Sequence, residues 1–126
     1  MHKYIKLDEY LMSLPGATCD FKEEWQWHRY MVGGKMFAAI CHPGDDHKAP
    51  YSGHDLINLK CDPTASELLR DTYPDIHPGF YMDKRNWIAA FLDGGLPEDL
   101  VFELSKQSYE LVFGKLTKKL QREILG

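Results

Sequence analysis

Apolar residues recur at two spacings along this chain, and the switches between them mark out its elements. Leu7, Tyr10, Leu11 and Leu14 follow helical spacing, with Asp8 and Glu9 early enough to complement the helix dipole, so a short amphipathic helix is expected over 7–14. Pro15-Gly16 ends it. Residues 17–24 are polar, with Phe21 as a lone anchor. From Trp25 to Met31 the chain is rich in strand formers, and Trp25, Trp27 and Arg29 alternate with Gln26, His28 and Tyr30. Gly33-Gly34 is a two-residue hairpin signal. Lys35 to Cys41 follows as a second strand, apolar enough to be central in a sheet.

Between His42 and Asp55 apolar content almost vanishes. A loop of roughly a dozen residues is long for a compact domain and marks mobility or function. Leu56 to Cys61 is a third strand. A second helix then opens, with Asp62 as N-cap and Pro63 at the first helical position, or with Thr64 and Glu67 as a capping box. Leu68, Leu69 and Tyr73 form its apolar side, and Pro74 stops it.

The stretch 77–91 concentrates a Pro-Gly break, two aromatics, a polar cluster and a second apolar run. It reads as a hairpin, with strands near 78–82 and 86–92, whose tip presents Lys84 and Arg85 and whose return strand begins at Trp87. A third helix starts at Pro97-Glu98-Asp99 and runs through Val112. Beyond it lies a basic amphipathic tail, 116–126. The order α-β(3)-α-β(2)-α, without a βαβ rhythm, predicts an α+β fold: a two-layer α/β sandwich on an antiparallel sheet, as one domain over 1–126.

Charge and chemistry narrow the function. The 15 Lys and Arg against 19 Asp and Glu give a net charge of −4, which excludes a surface that is basic throughout but not a local basic patch. Cys19, Cys41 and Cys61 form no Cys-x-x-Cys pair and read as reduced thiols, so the expected compartment is the cytoplasm. No apolar run reaches the length of a membrane span, and Met1 to Asp8 lacks the apolar stretch of a secretory leader. Cys41, His42, Asp45, Asp46, His47 and His54 share one region but match no zinc spacing, so no metal and no cofactor are expected. Cys61 sits before a helix start, where a helix dipole lowers a thiol pKa, although a small buried hydrophobe is the commoner role. No nucleophile motif occurs, and Gly33-Gly34-Lys35 lacks P-loop spacing, so no enzyme is expected; an enzyme with a small-molecule pocket near His77, Tyr81 and Trp87 is the third reading.

The remaining signal is basic and aromatic. Lys84 and Arg85 suit phosphate, with Lys35, Lys60 and the 115–122 tail extending a positive strip. His77, Tyr81 and Trp87 are the aromatic candidates for ligand contact, Tyr81 and Trp87 by stacking. Set against this, turn cations are commonly solvated and Trp87 suits a core anchor.

Five blocks carry a resemblance: Leu14-Pro15-Gly16-Ala17, Val32 to Ala38, Asn58 to Pro63, Pro78 to Trp87, and Ser108 to Val112. In this order they resemble the MmcQ/YjbR family over about residues 7–119. The resemblance implies an α-β(3)-α-β(2)-α two-layer fold, similar to type III secretion chaperones and to the CyaY-like double-wing proteins. Members of the family are usually labelled DNA-binding, which rests on fold analogy. The family's Met-x-Lys-Arg-x-Trp pattern falls on Met82, Lys84, Arg85 and Trp87, and its Gly-Gly-Lys-x-Phe pattern on Gly33, Gly34, Lys35 and Phe37. Asp83 and Asn86 depart from it, standing where Asn and His are expected, and the 43–54 loop looks longer than usual. The resulting expectation is a non-enzymatic DNA-binding protein; a protein-interaction or chaperone-like module, pairing with another protein or with itself, is the alternative.

Overall fold

The computed structural model describes residues 4–126, so Met1 to Lys3, the start of the stretch read for a leader, lie outside the described residues. Six strands form one antiparallel sheet: β1 (Thr18–Lys22), β2 (Trp27–Val32), β3 (Lys35–Cys41), β4 (Leu56–Lys60), β5 (Ile76–Pro78) and β6 (Trp87–Phe91). Their order is β1-β2-β3-β4-β6-β5. Four helices accompany them: α1 (Ile5–Ser13), α2 (Pro63–Thr72), α3 (Glu98–Phe113) and α4 (Lys118–Leu125). The expected α+β class and antiparallel sheet are observed.

Three differences from the sequence reading have physical reasons. The polar stretch 17–24 contains a strand, so the first run has four strands rather than three. β1 is an edge whose side chains are almost all exposed, so no apolar alternation announces it. The first hairpin strand is Ile76–Pro78, not 78–82, because Phe80 leaves the ladder to cover the sheet. The tail is a helix: Thr117 caps it, its hydroxyl accepting from the Leu120 N–H at 3.1 Å.

Other local signals are realised as written. Gly33 and Gly34 take φ of 58° and 79° in the β2–β3 turn, as a tight hairpin turn requires. Of the two caps open for α2, the structure uses Asp62, whose carboxylate accepts from the Thr64 and Ala65 N–H groups at 3.1 and 3.2 Å. Pro63 sits in the first turn, where no donor is needed.

The two faces of the sheet are covered differently. One carries the main core, where Leu7 and Leu11 of α1 and Val101, Leu104, Tyr109 and Val112 of α3 meet Tyr30, Phe37, Ile40, Ile57, Leu59 and Ile88. Ser108 ties α3 to the sheet: its hydroxyl donates to the Phe37 carbonyl and accepts from the Lys60 N–H at 2.8 Å. Among the described residues, no helix contributes to the apolar cluster of the opposite face. There Trp27, Ala39, Cys41, Leu56, Ala89 and Phe91 are covered by Tyr51 and Phe80, supplied by the 42–55 and 79–86 loops.

Candidate functional site

The four cations singled out in the sequence all lie toward one end of the sheet. Lys35 opens β3, just after the Gly33-Gly34 turn, while Lys60 closes β4 opposite Trp87 at the start of β6. The Ser108 bridge between Phe37 and Lys60 keeps these two strand ends together. Lys84 and Arg85 lie on the loop entering Trp87, and both are exposed. Helix α4 brings the basic tail to the same end. A Cβ at Gly33 would lie 2.7 Å from Leu116 and 3.1 Å from Leu120, so α4 begins against the β2–β3 turn with Lys115, Lys118 and Lys119 exposed beside it. Among the described residues none of these cations forms a salt bridge; the ion pairs of Lys22 and Arg29 lie elsewhere.

The turn that presents Lys84 and Arg85 is built by Asp83 and Asn86. Asp83 accepts from the Arg85 N–H at 2.9 Å and from the Asn86 side-chain amide. The Asn86 amide and then the Arg85 N–H hold the Asp83 carboxyl below the usual carboxylate range, with the charges of Arg85 and Lys60 adding to this. Asp83 therefore stays ionised and offsets part of the positive charge it organises.

The aromatic candidates separate. Trp87 is 9% exposed and anchors the return strand, with the Lys60 ammonium 5.9 Å from its ring centroid. His77 is half-buried against Phe91, ring centroids 4.5 Å apart, and burial lowers its pKa. Tyr81 is exposed and belongs to a cleft on the loop-covered face. Cys61 is buried, the commoner of its two roles, and burial, followed by the neighbouring Asp62 carboxylate, raises its thiol pKa rather than lowering it as a helix dipole would.

The 42–55 loop spreads its histidines onto separate partners. His42 meets Asp55 at 2.8 Å, His54 meets Asp93 at 3.1 Å, and His47 meets the Tyr81 hydroxyl at 3.3 Å. The Tyr51 hydroxyl donates to the Pro78 carbonyl at 2.7 Å, joining this loop to the segment that leads into 79–86. The cleft between these loops and the start of β2 has a volume of about 970 Å³, and Trp25, Trp27, Arg29, Met36, His47 and Tyr81 are among the residues lining it. Sequence reasoning named Tyr81 as a ligand contact but placed a pocket near His77 and Trp87 rather than in this cleft, whose walls lie far apart in the chain and one of which is drawn onto the sheet by the buried Asn58 beneath Phe80.

A single antiparallel sheet with helices on one face and long loops on the other defines a small α+β protein. The YjbR family model matches residues 12–111, and the chain belongs to that family. It is 26% identical over 117 residues to the uncharacterized protein YjbR of Escherichia coli (strain K12), covering 93% of this chain and 92% of that one. To the uncharacterized protein YbdF of Escherichia coli O157:H7 it is 33% identical over 95 residues, covering 75% of this chain and 71% of that one. Among solved structures, Deinococcus radiodurans protein DR2400, with domain DUF419, superposes with a TM-score of 0.80 at 30% identity, over 98% of this chain and 88% of that one. A Pseudomonas syringae protein shares the fold, with a TM-score of 0.74 at 22% identity, over 88% of this chain and 98% of that one. Among the described residues no helix is long and apolar enough to cross a membrane.

Proposed function

We propose that this YjbR-family protein binds nucleic acid, without catalysing a reaction, through the cationic end of the sheet. The observation that carries the reading is the placing of Lys35, Lys60, Lys84, Arg85 and the α4 lysines toward one end, with Asp83 offsetting part of their charge and no salt bridge to any of them among the described residues. Phosphate oxygens supply the charge these side chains lack, and Arg85 is able to engage two of them at once. Because the whole chain carries a net charge of −4, affinity falls to this end alone. Trp87 supports the strand beneath the basic loop rather than stacking on bases, since its ring is buried. Recognition on this reading is of the backbone.

Fluorescence anisotropy with duplex and single-stranded oligonucleotides tests it. Binding at low salt should weaken as salt rises, with a slope of about 0.9 per phosphate neutralised on duplex DNA. The double variant Lys84→Ala, Arg85→Ala should lose affinity and lower the slope by about 1 for each contact removed. No binding to either oligonucleotide at low salt, or an unchanged double variant, would sink the reading. A stable dimer accompanying that failure would move the assignment to protein interaction.

A further inference from the structure

We infer that the cleft between the 42–55 loop, the 79–86 loop and the start of β2 is a binding site for a small planar heteroaromatic molecule of one or two rings. Its volume, about 970 Å³, lies at the upper end of the range for small-molecule pockets, roughly 300–1,000 Å³. Trp27 and Phe80 form an aromatic floor, with centroids 6.2 Å apart. Trp25 and Tyr81 are its walls, and both remain largely in solvent, 54% and 74% exposed. Large ring faces left in water around one cavity are surface that a stacked ring would cover.

Backbone strain points independently to the same place. Among the described residues, only Gln26 and Tyr81 are non-glycine residues with positive φ, at 60° and 55°, and both line this cleft. A tyrosine in the left-handed region is a steric outlier. Strain of this kind persists where the surrounding structure imposes it and gathers at ligand sites. Tyr81 is imposed on by its neighbour: Asn58 holds the Phe80 peptide from both sides, which fixes where the next residue leaves the sheet. Burial does not explain the conformation, because the side chain it produces is exposed.

Charge selects the ligand class. The Arg29 guanidinium is already matched by Asp20, through bonds of 2.8 and 2.6 Å, and Glu24 is matched by Lys22 at 3.1 Å. The Lys22 ammonium also lies 5.4 Å from the Trp25 ring centroid, so one cation already uses that ring. With Arg29 and Glu24 compensated, Asp46 is the remaining charged side chain of the lining among the described residues, so the cleft suits a neutral or protonated ring better than an anion. Gln26 donates its side-chain amide to Glu23, leaving its amide oxygen to accept from a ring N–H. His47 meets Tyr81 through Nδ1, leaving Nε2 for the edge of the same ring. Exposed aromatic rings together with polar atoms in one lining fit a heteroaromatic better than a purely hydrocarbon ligand.

The inference is independent of nucleic-acid binding, and the experiment separates the two. Indole, quinoline and adenine are titrated into the full chain, followed by tryptophan fluorescence and by amide chemical shifts. At least one probe should bind saturably, with shifts centred on 24–27, 46–47 and 80–82. Binding should weaken tenfold or more in Trp25→Ala and in Tyr81→Asn, a residue that tolerates positive φ. It should be unchanged in Phe21→Ala, in the Lys84→Ala, Arg85→Ala double variant, and on adding salt. Tyr81→Asn should keep the melting temperature of the parent or raise it. No saturable binding by any probe, shifts centred elsewhere, or binding that survives both cleft variants would overturn the inference. A large fall in melting temperature for Tyr81→Asn with binding intact would make Tyr81 a structural prop and overturn it equally.

Discussion

Asn58 holds the peptide of Phe80 from both sides. Its amide nitrogen donates to the Phe80 carbonyl, and its amide oxygen accepts from the Phe80 N–H, each at 2.8 Å. Asn58 is a fully buried polar residue in a central strand, between Ala39 of β3 and Ala89 of β6. These small neighbours leave room above the strand, and the Phe80 segment fills it. One buried amide thus converts a hairpin connection into a cover for the second face of the sheet.

Replacing Asn58 with Ala leaves a buried N–H and a buried carbonyl without partners, each costing about 1–3 kcal/mol. The expected loss is about 2–4 kcal/mol of unfolding free energy, measured by urea denaturation. The Phe80 amide should also exchange with solvent much faster in the variant. Asn58→Asp should recover little, because an ionised carboxylate cannot donate to the carbonyl and its burial is costly. A variant as stable as the parent would show that the clamp does not hold the loop.

The contrast between Trp87 and Tyr81 shows how far the sequence could be read. Trp87 sits in an apolar run, Trp87 to Phe91, so its role as strand anchor is written in local pattern. Tyr81 lies six residues earlier, beside an equally aromatic neighbour, and nothing in the spacing says that Phe80 is buried while Tyr81 is strained and exposed. That division depends on Asn58, whose pairing with the loop is a long-range contact. β1 was hidden for the opposite reason: an edge strand needs backbone partners on one side only and can be polar throughout. The basic residues were legible as types, but their placing toward one end depends on the pairing of β3 with β4 and on the docking of α4 at Gly33. The cleft was illegible because its strain and its walls exist only in three dimensions.

The three cysteines should differ sharply in reactivity. Cys41 and Cys61 are buried, and burial pushes both thiols up, furthest at Cys41. Cys19 is exposed on β1, yet partial burial of its thiol and the nearby Asp8 carboxylate raise it as well. Because the thiolate is the reacting form, Ellman's reagent near pH 8 should modify Cys19 alone in the folded protein, more slowly than free cysteine. Denaturant should release all three, and mass spectrometry after alkylation should identify Cys19 as the first labelled. Rapid reaction at Cys61 in the native state would show the helix dipole outweighing burial there.

His77 should make the protein less stable in mild acid. Its imidazole packs on Phe91, and burial holds its pKa below the ordinary value of 6.5, helped by the charge of His54 and opposed by Asp75. The folded state therefore binds a proton less readily than the unfolded chain. By linkage, the contribution of His77 is intact above pH 6.5 and is lost as the pH falls from there through the depressed folded pKa. The nuclear magnetic resonance titration of the His77 ring should give a midpoint below 6.5. Between pH 7 and pH 5, the parent should lose more unfolding free energy than His77→Phe, which packs on Phe91 but takes up no proton. A midpoint at or above 6.5 would show that Asp75 outweighs burial. The order should then reverse: His77 would add stability on acidification, and His77→Phe would become the more acid-sensitive chain.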